Sequence, residues 1–151
     1  MIICSLQGIP LSAQQNQKLQ PYLSGIMTTN ASRLQQWYTQ HLGFQIKDER
    51  NIPASGIHFF LLEHEGFLLE IIQRNDLFDP QPALDSSSQY KFVRGLFKVG
   101  FYVSNIEEWF KKLQENKVTI KSENVSTKSK GPFILLQDPD GNLVQLFEQG
   151  R

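Results

Sequence analysis

The sequence holds 151 residues, with 15 Lys and Arg against 15 Asp and Glu, so its formal net charge is zero. That balance removes the electrostatic basis for binding nucleic acid or an anionic membrane surface. Forty per cent of the residues are hydrophobic and 11 are Phe, which is enough for one domain or for two small halves sharing a core, and no run has the apolar length of a membrane-spanning helix.

The first charged residue is Lys18. Residues 1–14 form an apolar run broken by Gly8 and Pro10 just ahead of Leu11-Ser12-Ala13, which reads as the end of a secretory signal peptide cleaved after Ala13, here without a basic n-region. The expectation is export to the periplasm or the exterior. If residues 1–13 are instead an apolar arm, the protein stays in the cytoplasm. The only cysteine, Cys4, falls inside this segment, so the mature chain has no disulfide framework, zinc knuckle or thiol nucleophile. Residues 14–21 are expected to form an N-terminal arm.

A first module is expected over residues 22–73. An extended run at 22–29 ends at Asn30, a residue type that caps helix N-termini. Ala31, Leu34, Trp37, Tyr38 and Leu42 then share one helical stripe, which marks them as core, and Gly43 closes the helix. His41 is expected at the surface, favoured by the helix C-terminal dipole. Residues 44–49, 57–64 and 66–73 have strand character, the last two joined at Glu65-Gly66. Residues 74–95, with Pro80, Pro82 and three consecutive serines, form a connector.

A second module over residues 96–149 repeats the order. A strand at 96–103 precedes Asn105, which caps a helix with Glu108 three residues on, a variant of the capping box. Ile106, Trp109, Phe110 and Leu113 form its inward stripe, and Glu107 with Lys111 and Glu108 with Lys112 are expected to pair outside. Strands follow at 118–125, 133–137 and 142–148, the last two joined by the turn-forming Asp138-Pro139-Asp140-Gly141. Asn30 and Asn105 stand 75 residues apart, which together with Thr29-Asn30 and Ser104-Asn105 points to an internal duplication.

Four segments carry a resemblance: ASRLQQWYTQHLGF after Asn30, FLLEIIQ after Gly66, GFYVSNIEEWFKKL after Val99 and PDGNLVQLFE after Asp138. In a duplicated βαβββ pattern they resemble the vicinal oxygen chelate superfamily of glyoxalase I, bleomycin-resistance proteins and extradiol dioxygenases. The resemblance implies an α+β fold of two tandem modules whose curved mixed sheets make a cup, with helices on the convex side. The cup closes within one chain or by exchange between two subunits, so a homodimer is expected.

Strand alternation populates such a cup. If the apolar sets face the helices, Glu70 and Gln145 face the cup, with Leu23, Gly25 and Met27 from the first strand and Lys98, Gly100 and Tyr102 from the fifth. Tyr102 and Phe147 are the aromatic pocket candidates. His58, Phe60, Leu62 and His64 share one face of their strand.

Metal-dependent members of that superfamily hold an ion through four residues, the first and third usually histidine and the second and fourth glutamate. The corresponding positions here are Leu23, Glu70, Lys98 and Gln145, and only Glu70 is a customary ligand. Leucine has no lone pair and protonated lysine is a donor-only cation, so no metal and no other cofactor is expected. His58 and His64 are the histidines nearest to a rescue. His64 reads as a solvated turn-edge residue, and His58 as a satisfied half-buried histidine or a hydrogen-bonding group of the pocket.

Lys98 and Glu70 can neutralise each other in the cup, or Lys98 can bind an anionic or carbonyl-bearing ligand or serve as a base. The resulting expectation is a metal-free protein that holds a small organic ligand through Lys98, Glu70, Gln145, Tyr102, His58 and Met27, resembling the sequestering bleomycin-resistance branch. The alternative is a metal-dependent glyoxalase- or dioxygenase-like enzyme with non-standard ligands around Glu70. A third reading makes the fold an interaction module. No phosphate-binding glycine loop, Gly-x-Ser-x-Gly elbow or Cys–His dyad occurs.

Overall fold

The computed structural model describes residues 22–78, 98–125 and 131–148. The expected signal segment with Cys4, the N-terminal arm and the connector from residue 79 onward lie outside the described residues. In chain order the elements are β1 (Leu23–Thr28), α1 (Ala31–Leu42), β2 (Gln45–Ile52), a 3-10 turn (Pro53–Ser55), β3 (Ile57–His64) and β4 (Phe67–Gln73). They continue with β5 (Lys98–Val103), α2 (Ile106–Glu115), β6 (Ile120–Asn124), β7 (Phe133–Gln137) and β8 (Leu143–Glu148). The two four-stranded sheets have equivalent orders, β1-β4-β3-β2 and β5-β8-β7-β6. Among the described residues only the β1–β4 and β5–β8 pairs are parallel, so the architecture is α+β, two tandem βαβββ modules.

The duplication extends to the register. Leu23 pairs with Leu68 and Lys98 with Leu143, an interval of 45 residues in both modules. Between the helices and the hairpin turns the offset drops from 75 to 74 residues. The residues in left-handed conformation after the two helices are Gly43 (φ 77°) and Lys117 (φ 57°), and both second strands shift register at matching places, Ile46/Asp48 and Ile120/Ser122. The hairpin restores the missing residue. β3 turns into β4 through Glu65 and Gly66, both at positive φ (49° and 81°), the two-residue geometry that suits twisted strands. β7 turns into β8 through five residues, Asp138–Asn142, where Asp138 N donates to the Asn142 carbonyl at 3.0 Å and encloses Pro139–Gly141, with Gly141 at φ 89°.

Both helices begin as their caps predict. Asn30 Oδ1 accepts from Arg33 N at 3.0 Å, and Gly43 ends α1 with its own N–H bonded to the Tyr38 carbonyl. Asn105 caps α2 as expected, its Oδ1 accepting from Glu108 N at 3.3 Å, but the Glu108 carboxylate reaches back to the Asn105 side chain, accepting from Nδ2 at 3.0 Å, and not to the backbone N–H of a capping box.

Several side chains of the helices depart from expectation. Lys111 pairs onward with Glu115 at 4.0 Å rather than with Glu107. Because the cap takes the Glu108 carboxylate, Lys112 instead lies over the Trp109 ring, 4.9 Å from its centroid. Ile106 and Leu113 are buried on α2, whereas Trp109 and Phe110 are only half-buried. His41 is half-buried against Trp37 at a ring distance of 5.7 Å. Burial first, and Lys112 second, push its pKa down, the opposite of stabilisation by a helix dipole. β2 runs to Ile52, beyond the expected end at Glu49, since Asn51 and Ile52 continue the ladder opposite His58 and Ile57.

One core serves both modules. Ala31, Leu34, Tyr38, Phe60, Leu62, Leu69 and Ile71 of the first join Ile106, Leu113, Ile134, Leu136, Val144 and Leu146 of the second. Each fully buried aliphatic side chain contributes about 1.5–3 kcal/mol. Phe101 of β5 packs edge-on against Phe44 (5.9 Å) and Phe67 (5.4 Å), across the module boundary. The core therefore lies on the helix-facing side of each sheet, and the opposite faces of both sheets point away from it.

Candidate functional site

The pairing fixes which residues share the outer face of each sheet. In the first sheet Gly25 stands beside Glu70 and Met27 beside Ile72, and the next strand adds Leu61 opposite Glu70 and Phe59 opposite Ile72. Glu70 leans over the bare backbone of Gly25: its Oε2 is 3.6 Å from where a Cβ would stand. Met27 is 62% exposed and Leu23 45%. Leu68 is buried on this face, outside the shared core.

In the second sheet Lys98 stands beside Leu143, Gly100 beside Gln145 and Tyr102 beside Phe147. β7 adds Leu135 opposite Gln145 and Phe133 opposite Phe147. Lys98 Nζ donates to Gln145 Oε1, and Gln145 is 6% exposed. Tyr102 and Phe147 lie with ring centroids 6.2 Å apart at 51°. The predicted residues thus fall into two groups, Leu23, Met27 and Glu70 on one sheet and Lys98, Tyr102 and Gln145 on the other.

His58 is not part of either group. It pairs with Gln73 and stands three residues from Leu61, an odd interval that sets it on the helix-facing side with Phe60 and Leu62. Its Nε2 hydrogen-bonds with Glu49 Oε1 at 2.8 Å and its ring lies 4.5 Å from that of Phe60, so it is the satisfied half-buried histidine of the two readings. His64 shares that side. Half-buried rather than solvated, it sits 5.5 Å from the Phe44 ring with Nδ1 3.2 Å from the Gly43 carbonyl.

The four positions that the resemblance assigns to a metal ion do not fit one. Leu23 supplies no donor atom, Lys98 brings a positive charge, and the amide oxygen of Gln145 already accepts from Lys98. Glu70 remains as the one hard anionic ligand.

Sequence alternation did not reveal the part played by the Asp138 turn. The buried Asp138 carboxylate accepts from Tyr38 Oη at 3.2 Å, from Asn142 N at 2.9 Å and from Asp140 N at 3.0 Å, and Arg33 pairs with Asp140. The turn thereby ties the second module to α1 of the first. Burial pushes the Asp138 carboxyl up from its usual value despite these donors, and burial next to Asp138 raises the Tyr38 hydroxyl.

Comparison with known proteins agrees with the geometry. No curated protein sequence matches the chain. Among solved structures, the chain is similar to a glyoxalase family protein from Enterococcus faecalis, with a TM-score of 0.64, 21% identity and coverage of 87% of this chain and 98% of that one. It is also similar to the trypanothione-dependent glyoxalase I of Leishmania major, with a TM-score of 0.65, 16% identity and 87% coverage of both. A glyoxylase/bleomycin resistance protein/dioxygenase domain from Frankia sp. EAN1pec aligns with a TM-score of 0.62, 15% identity and coverage of 89% and 93%. At these identities the likeness is one of fold. The family model for the Glyoxalase/Bleomycin resistance protein/Dioxygenase superfamily matches residues 21–146, and the chain belongs to that superfamily.

Proposed function

We propose that the protein is a metal-free member of its superfamily that binds a small organic molecule on the outer faces of its sheets, as a sequestering protein rather than an enzyme. The observation that carries this reading is the Lys98–Gln145 hydrogen bond. It joins two of the positions where metal-dependent relatives keep ligands and replaces coordination by a fixed cation. Apolar and aromatic side chains around a few polar groups are the usual make-up of a small-molecule site. Here Met27 and Leu61 flank Glu70 on the first sheet, and Tyr102 lies on the same face as Lys98 and Gln145 on the second.

Both outer faces point away from the shared core, which supports a homodimer in which the Glu70 face of one copy closes over the Lys98 face of the other. Sedimentation of the full chain tests that arrangement. Export directed by residues 1–13 belongs to the same proposal and is checked by N-terminal sequencing of the protein from its native cell.

The binding claim is tested by a thermal-shift screen of a small-molecule library, with hits measured by titration calorimetry. A hit should lose about tenfold or more in affinity in Lys98→Met or Glu70→Gln, and should be unchanged in His58→Ala on the opposite side. Hits indifferent to both outer-face variants, or no hits at all, would overturn the reading.

A further inference from the structure

We infer that the ligand is a planar aromatic or conjugated carboxylate, seated with its ring on Tyr102 and Phe147 and its carboxylate at Lys98. This rests on the ligand-binding reading above and narrows it to a chemical class.

The outer face of the second sheet is arranged in rows. Tyr102, Phe147 and Phe133 stand side by side across β5, β8 and β7, forming an aromatic row in which Tyr102 is 74% exposed. Next to it Gly100 has no side chain, and the ring edge of Phe147 covers that gap, with Cε2 3.0 Å from where a Cβ would stand. Between Tyr102 and Lys98 no side chain rises from β5, and the floor is the Phe147 ring edge, with the Tyr102 ring beside it at 51°. Lys98 stands four residues from Tyr102, about 13 Å along the strand, so a ring over the Gly100 gap leaves a substituent within reach of the ammonium.

The counterpart face of the first module keeps Gly25 and Phe59 at the places of Gly100 and Phe133 but lacks the other features. Leu23 replaces Lys98, Met27 replaces Tyr102, Ile72 replaces Phe147, and over Gly25 lies the Glu70 carboxylate instead of a ring. Divergence of two halves with matching backbone register assigns the aromatic, cation-bearing surface to the second sheet alone. Aromatic faces favour flat partners in offset or edge contact, and an ammonium held by an amide oxygen favours an anion through charge-assisted hydrogen bonds. A neutral ring would lose the charge-assisted bond.

Titration calorimetry of the full chain with 2-naphthoate, 2-naphthylmethanol and cyclohexanecarboxylate tests the inference. The expected result is that 2-naphthoate binds about tenfold or more tightly than either of the others. Lys98→Met should equalise the naphthyl acid and alcohol. Tyr102→Ala should weaken 2-naphthoate while Tyr102→Phe retains it. Equal binding of acid and alcohol, equal binding of the two acids, or no binding of any probe would overturn the inference. If library hits of another class still depend on Lys98 or Glu70, only the ligand class falls and the ligand-binding reading stands.

Discussion

Gln73 and Glu148, at the ends of β4 and β8 and 75 residues apart, secure the starts of the two helices. Gln73 Oε1 accepts from Ala31 N at 3.0 Å, and Glu148 Oε2 accepts from Ile106 N at 2.7 Å. A first-turn N–H has no partner within its own helix, so in each module the last strand supplies one. The Glu148 bond is also charge-assisted and sits at the positive end of α2. Gln73→Ala should cost about 0.5–1.5 kcal/mol and Glu148→Ala about 1–3 kcal/mol, measured by urea unfolding. Equal losses would mean that the carboxylate charge adds nothing.

Stability should carry a pH signature of the buried turn. The folded-state pKa of Asp138 is raised above its usual value, chiefly by burial, so the native state holds this proton more tightly than the unfolded chain does. Its contribution is fully present below the unfolded pKa and is lost as pH rises through the folded one. The stability of the native protein minus that of Asp138→Asn should therefore decline as pH rises above about 4. A flat difference between pH 3 and 7 would contradict the assignment.

His41 should act with the opposite sign. Its folded pKa is lowered, by burial and then by Lys112, so its contribution is present above the unfolded value near 6.5 and is lost as pH falls through the folded one. Replacing His41 with Gln should flatten the loss of stability between pH 7 and 5. Chemical denaturation at several pH values reads both effects.

The duplication permits a matched pair of glycine substitutions. An added Cβ at Gly25 meets only Glu70 at 3.6 Å, whereas at Gly100 it meets the Phe147 ring at 3.0 Å. Gly25→Ala should be neutral or stabilising by about 0.4–1 kcal/mol through the unfolded chain. Gly100→Ala should be the less stable of the two and should shift the Phe147 ring resonances. Identical behaviour would show that Phe147 does not rest on Gly100.

Much of the fold was legible because local signals agreed. Asn30 and Asn105 announced the helices, Gly43 closed the first, and alternation put Glu70 and Gln145 on the faces opposite the apolar sets. β3 was ambiguous, since Ile57-His-Phe-Phe-Leu-Leu-Glu-His64 is apolar on both faces. Only its register against β4 separates His58 from Glu70. The pairing of Lys111 with Glu115 was equally undetermined, because an exposed helical lysine has neighbours one turn away in both directions. The Asp138 segment was legible as a turn, but not as a tie to Tyr38, 100 residues earlier. That contact depends on how the modules pack, which no local pattern encodes.

Metal content measured by plasma mass spectrometry discriminates most directly, on protein purified without chelator or affinity metal and then soaked with Mn, Fe, Ni and Zn. The donor chemistry of Leu23, Glu70, Lys98 and Gln145 predicts far less than one retained ion per chain, with no difference between the native protein and Glu70→Gln. A near-stoichiometric ion that disappears in Glu70→Gln would contradict the metal-free reading and restore the glyoxalase- or dioxygenase-like alternative.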